Sequence, residues 1–219
     1  MNTRESVKEF ELRKKRARIV NKQLKELFPK ADTVLNWSNP WELTVAVILS
    51  AQCTDKKVNE VTSKLFKKYS TLHDYITADE EIFQQDIRST GFYKAKTTYI
   101  LTAAKRIEKI FQGKVPQTMD ELRTLPGVAR KTANIILDRA FGKVVGIAVD
   151  THVKRLSNKY KLTDTSDPNR IEQDLMKVIP KKDWMNFTYR MIMYGRKYSP
   201  ARKKNDVDDP VSKILGTLR

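Results

Sequence analysis

The chain has 219 residues, enough for one domain or two small ones, and 40% of them are apolar, which suffices for a proper core. Lys and Arg number 43 against 26 acidic residues, and the net charge of +17 points to a polyanionic partner. One cysteine, Cys53, excludes an internal disulfide and any multi-cysteine metal site, and no apolar run is long enough to span a bilayer.

Thr3 to Phe28 reads as one long helix, with Phe10, Ala17, Val20, Leu24, Leu27 and Phe28 as an interrupted apolar stripe. Within it, Arg13-Lys14-Lys15-Arg16 is either a solvated helix face or a phosphate-contacting one. Glu5, Glu9 and Glu11, with no apolar core beside them, fit neither a signal peptide nor an acid-poor transit peptide. The expectation is an intracellular protein, in the cytoplasm or nucleoid.

Asn39-Pro40 is a helix start, Asn as N-cap and Pro at the first helical position. Leu43 to Cys53 is apolar nearly all round and predicts a central helix, with Cys53 as a small buried hydrophobe. Asp55 is expected to cap the next helix, which turns Val58, Val61, Leu65 and Phe66 inward. A short helix is predicted over Asp79 to Ile87, then a turn at Gly91-Phe92-Tyr93. A longer helix follows, burying Ala95, Ala103, Ala104, Ile107, Ile110 and Phe111 and ending at Gly113.

Leu125 to His152 organises the rest. Thr118 and Glu121 form a capping-box pair, so a short helix starts near Met119. Leu125-Pro126-Gly127-Val128-Ala129 breaks it, and from Arg130 a second helix runs to about Phe141, closed by Gly142. The backbone N–H groups of such a turn and helix start point outward together, an arrangement that binds phosphate without reading a base. Lys131 lies in the first turn of that helix, where the dipole, with partial burial, favours a neutral amine. Nineteen residues on, Asp150 follows the apolar run Val144 to Val149 and caps a helix from Thr151 to Lys159. After Asn158, Asp167-Pro168 opens a helix containing Ile171, Leu175 and Val178. Pro180 separates it from another with Trp184, Phe187, Met191 and Tyr194. Beyond Gly195 little periodicity survives, and an extended or partly ordered tail is expected. No alternating strand pattern stands out, so the fold class is all-α.

LPGVARKTAN followed by AVDTH resembles the endonuclease III family of helix-hairpin-helix DNA glycosylases, over roughly Pro40 to Gly195. The resemblance implies two helical domains flanking a DNA-binding cleft. The first, 32–143, is a helical barrel containing the hairpin; the second is built from 1–31 plus 144–219. It implies that Lys131 attacks the sugar, that Asp150 assists, and that Gly127, Val128, Ala129, Arg130 and His152 contact DNA. The family's second hairpin glycine is Ala129 here. Gln52 matches a family glutamine, and Phe92 stands where a leucine is usual; both are expected to fill the gap left by a flipped nucleotide. The implied partner is double-stranded DNA with damaged bases or abasic sites, bound by a monomer. The implied activity is removal of oxidised pyrimidines with strand cleavage through a lysine Schiff base. The alternatives are a monofunctional mismatch or alkylated-base glycosylase, whose relatives lack the lysine, and a non-catalytic helix-hairpin-helix DNA-binding module.

Many relatives place four cluster-binding cysteines just after the segment matching Tyr194-Gly195-Arg196. Here Ser199 stands at the first of these positions and no cysteine follows Cys53, so no metal and no iron–sulfur cofactor is expected. Tyr198 and Pro200 are expected to pack locally. Val207, Val211, Ile214 and Leu215 are expected to dock a final turn, with Arg202, Lys203 and Lys204 facing DNA.

Overall fold

The computed structural model describes residues 6–203 and 206–218, with Lys203 described by its backbone alone. It is helical, with no strand among the described residues. The chain divides into two compact units: Val34–Val145 forms one, and Met1–Thr33 with Gly146–Arg219 forms the other.

The chain begins in the terminal unit with α1, Val7–Leu27. Ser6 caps it reciprocally: its hydroxyl accepts from the Glu9 N–H at 3.2 Å while the Glu9 carboxylate accepts from the Ser6 N–H at 2.9 Å. Thr3 to Glu5, where the expected start falls, lie outside the described residues. Ala17, Val20 and Leu24 form the buried stripe, and Arg13 leaves the basic run to pair with Asp174 at 3.5 Å.

The central unit follows. α2, Pro40–Leu49, is buried almost all round, and Asn39 caps it by accepting from the Glu42 N–H at 3.0 Å. It packs on the helices Asp55–Lys68, Tyr93–Phe111 and Arg130–Phe141 and forms the unit's axis. The helix stops at Leu49, earlier than the apolar run predicts, because the chain must turn at Gln52, whose φ is 53°. α3 spans Asp55–Lys68; Thr54, not Asp55, is its N-cap, accepting from the Lys57 N–H at 3.3 Å. Asp55 instead occupies the first turn, where its charge suits the helix dipole. α4, Leu72–Ile76, is a single turn that the periodicity does not predict. It exists to deliver Tyr75 into an aromatic group with Trp41, Tyr69 and Phe83. α5 spans Glu80–Ile87, capped by Asp79.

α6, Tyr93–Phe111, buries Lys96, Thr97, Ile100, Leu101, Ala103, Ala104 and Ile107. Ala95 lies off this face and is exposed, and Ile110 is 51% exposed, so neither joins the core as the spacing suggests. Ala95 lies nearly opposite the buried face, and Ile110 lies at its edge in the last turn of the helix. α7, Met119–Leu122, and α8, Arg130–Phe141, bracket the hairpin. Gly142, at φ 65°, terminates α8 by donating to Asp138 O while Lys143 N–H donates to Leu137 O.

The terminal unit resumes with α9, Thr151–Lys159, α10, Pro168–Val178, and α11, Trp184–Lys197. α11 packs on α1 and α9, and α1 also packs on α10. The buried Asn21 amide and the Lys25 ammonium both reach Asp183, at 2.9 and 2.7 Å, and so fasten α1 to the turn that opens α11. The tail is more ordered than expected. α12, Pro210–Gly216, docks on α1 through fully buried Val211, whereas Val207 is 71% exposed.

Candidate functional site

In the central unit the hairpin is a tight turn. Leu125 and Val128 are buried beneath it, and Val128 N–H donates to Leu125 O at 3.1 Å. Gly127 has φ 78°, and a Cβ there would stand 3.0 Å from that of Tyr99 on α6. Only glycine satisfies both the left-handed backbone and that approach. Ala129 is extended, at φ −82° and ψ 173°, so alanine serves there without strain. It is the N-cap of α8 yet makes no side-chain cap bond, so the first N–H groups of α8 receive no cap from it. A free anion is the natural partner for such a terminus.

Arg130 and Lys131 are the first two residues of α8; Arg130 is half-buried and Lys131 exposed. The partial burial expected for Lys131 is therefore absent, and its amine faces solvent. Gln52 and Phe92 are exposed, Phe92 by 65%, and both adopt left-handed backbone at φ 53° and 49°. Non-glycine residues in that region cost on the order of 1–3 kcal/mol and cluster where function demands them. Cys53 is half-buried against the central core.

The terminal unit holds Asp150 and His152. Asp150 caps α9 by accepting from the Val153 N–H at 2.8 Å, which fixes one carboxylate oxygen. His152 is half-buried over α11, where a Cβ on Gly195 would lie 2.4 Å from its Nδ1, so the ring rests on bare backbone. Burial pushes the His152 pKa down; Asp150 opposes this, and Arg155 and Arg196 reinforce it.

The segment after α11 is held by a hydrogen-bonded network. Ser199 is 1% exposed; its Oγ accepts from Lys159 Nζ at 3.0 Å and from Arg155, which also donates to the Ser199 carbonyl. Lys159 Nζ donates further to Asp206 O at 2.6 Å and to Asp209 Oδ2 at 2.8 Å. Asp209, 4% exposed, caps α12 through Ser212 N–H at 3.0 Å and accepts from the Tyr160 and Tyr194 hydroxyls. Sequence reasoning missed this hub; the Asp209-Pro210 start repeats the pattern of Asp167-Pro168 and is the signal that marks it. Arg202 is exposed in the short turn Ala201–Lys203, and Lys204 lies outside the described residues. Among the described residues no group of His, Cys, Asp and Glu is arranged to hold a metal ion, and no helix is long and apolar enough to cross a membrane.

A family model for the HhH-GPD superfamily of base excision DNA repair proteins matches residues 45–181. The chain belongs to this superfamily. Endonuclease III of Synechocystis sp. is 49% identical over 191 residues, 87% of either chain, and that of Bacillus subtilis is 44% identical over 187 residues, 85% of either chain. A solved endonuclease III in non-covalent complex with DNA matches with a TM-score of 0.86 at 42% identity, covering 92% of this chain and 94% of that one. A trapped covalent endonuclease III–DNA intermediate matches with a TM-score of 0.85 at 43% identity, covering 90% and 93%. Within the superfamily, this chain is a member of the endonuclease III family.

Proposed function

We propose that the chain is a bifunctional DNA glycosylase and abasic-site lyase of base-excision repair, acting on oxidised pyrimidines in double-stranded DNA inside the cell. The observation that carries this reading is Lys131: an exposed amine in the first turn of α8, directly behind a hairpin whose helix terminus has no side-chain cap. The family membership and the covalently trapped relative support it.

The chemistry requires a nucleotide flipped out of the stack. Once its ammonium has given up a proton, Lys131 attacks C1′ of the sugar; the glycosidic bond breaks, its electron pair leaves with the base, and the nitrogen gives up a second proton. The ring-opened Schiff base acidifies the C2′ proton. Its removal expels the 3′ phosphate by β-elimination, and water then releases the lysine. Asp150, one oxygen held by the Val153 N–H, keeps a second oxygen to stabilise positive charge on the sugar or take the lysine proton. The hairpin N–H groups and Arg130 hold phosphate, Gln52 and Phe92 occupy the vacated stack, and His152 contacts the strand. Arg202, Lys203 and Lys204 add salt-sensitive phosphate attraction.

We also propose that the protein carries no iron–sulfur cluster. The side chains after α11 do not fit one: Ser199 is engaged by Lys159 and Arg155, and the chain's one cysteine, Cys53, belongs to the other unit. Purified active protein is expected to contain no iron by elemental analysis; stoichiometric iron refutes this part.

Borohydride trapping tests the main reading. Wild-type protein is expected to form a covalent adduct with a duplex containing an abasic site, and Lys131→Ala or Lys131→Gln to bind the same duplex without forming it. An adduct formed at the wild-type rate by either variant refutes the assignment.

A further inference from the structure

Lys96 is out of place by composition. It lies on the buried face of α6 beside Ile100, Ala103 and Ala104, and it is 3% exposed. A buried ammonium is costly unless its donors are satisfied. Burial does lower its pKa, with the Cys53 thiol as the neighbouring titratable group.

Its partners are two backbone carbonyls rather than a carboxylate. Nζ donates to Leu49 O at 2.8 Å and to Thr90 O at 2.9 Å. Leu49 is the last residue of α2, and Thr90 ends the short 3-10 turn Arg88–Thr90. Both carbonyls lie at the negative ends of helical segments, where a cation is favoured. Each also immediately precedes a functional loop. Gln52 lies three residues after Leu49 and Phe92 two after Thr90, and both hold left-handed backbone. One nitrogen therefore fastens together the roots of the two loops that carry the exposed side chains.

We propose that Lys96 is a positioning residue: it sets the spacing of Gln52 and Phe92 so that the pair enters the duplex as one unit. This rests on the glycosylase reading above. Lys96 touches no substrate; it acts through the two loops.

The test contrasts two substrates. A single-stranded oligonucleotide with an abasic site needs the Lys131 chemistry but no opening of a duplex. A duplex with a single oxidised pyrimidine needs both. Lys96→Met keeps the apolar stem and removes the donors. It is expected to lower the duplex rate roughly ten- to hundredfold, the scale of ångström misplacement, while borohydride trapping on the single strand stays at the wild-type rate. In a Gln52→Ala/Phe92→Ala background, Lys96→Met is expected to have no further effect on the duplex, since the loops it positions are already disarmed. An unchanged duplex rate, an equal loss on both substrates, or additive effects in that background overturns the proposal. If Lys96→Met does not fold, Lys96→Gln, which keeps an amide donor, carries the same contrast. Wild-type protein that acts on neither substrate refutes the glycosylase reading itself, a result distinct from any of these.

Discussion

Asp209→Asn tests whether hydrogen bonding alone holds the segment after α11. Burial pushes the Asp209 carboxyl up, but bonds from Lys159, Ser212 and Tyr194 outweigh that and hold it at about 2. Against the 3.8 of an ordinary aspartate, the difference is worth roughly 2 kcal/mol to the folded protein above both values. The folded pKa is the depressed one, so the folded chain holds fewer protons than the unfolded chain between the two values. This contribution is complete above about pH 5, about half lost near pH 3 and nearly gone below 2. Asparagine replaces one oxygen with a donor and leaves the Lys159 ammonium, 12% exposed, without its carboxylate. The expected loss at pH 7 is about 2–4 kcal/mol, between the titration value and the cost of breaking a buried pair. Guanidinium unfolding of both proteins from pH 7 to pH 3 measures this, with limited trypsin digestion reporting release of α12. A loss of the same size at every pH, or none at pH 7, refutes the reasoning.

Asp150→Asn keeps an oxygen for the Val153 N–H and removes the charge, so unfolding free energy is expected to change by under about 1 kcal/mol. Base excision in single-turnover assays is expected to fall roughly a hundredfold or more; a loss that only follows unfolding would contradict the catalytic role. Phe92→Gly is expected to move stability and activity in opposite directions. The φ of 49° suits glycine and the ring is 65% exposed, so stability rises by on the order of 1 kcal/mol. Duplex binding and base opening, read by 2-aminopurine fluorescence beside the lesion, are expected to fall. Lower stability with intact base opening would show a packing residue instead.

Where local chemistry marks an element, the sequence is enough to find it. Asn39-Pro40, Thr118 with Glu121, Asp150 and Asp167-Pro168 all open helices, because an N-cap acts within three residues and leaves its mark in the chain. The short elements escape periodicity: Leu72–Ile76 offers a capping box and one buried tyrosine, and Pro210–Gly216 is too brief to show a period. Thr54 and Asp55 are both good caps, and only the fold shows that the first is used. The exposure of Lys131 and the burial of Lys96 illustrate the harder limit. Both are lysines near the start of a helix, and what separates them is which face looks inward. That is set by contacts with residues tens of positions away, such as the Leu49 carbonyl.

The same limit hides the coordination within the central unit. Phe92, Lys96 and Tyr99 follow one another at helical spacing, and nothing in their chemistry suggests a common task. In the fold they act along one face of α6. Phe92 is its exposed N-cap, Lys96 fastens the Gln52 loop to the Phe92 loop, and Tyr99 lies against Gly127 of the hairpin. The helix is anchored by fully buried Ile100, Ala103, Ala104 and Ile107, so its face is rigid. A rigid helix lets exposed, strained side chains keep their positions without packing of their own, and it ties the hairpin proposed to hold phosphate to the two loops proposed to open the duplex. The positive φ of Gln52 and Phe92, a backbone shared by Gln112 and Lys161, is a local cost that the packing of the buried core offsets.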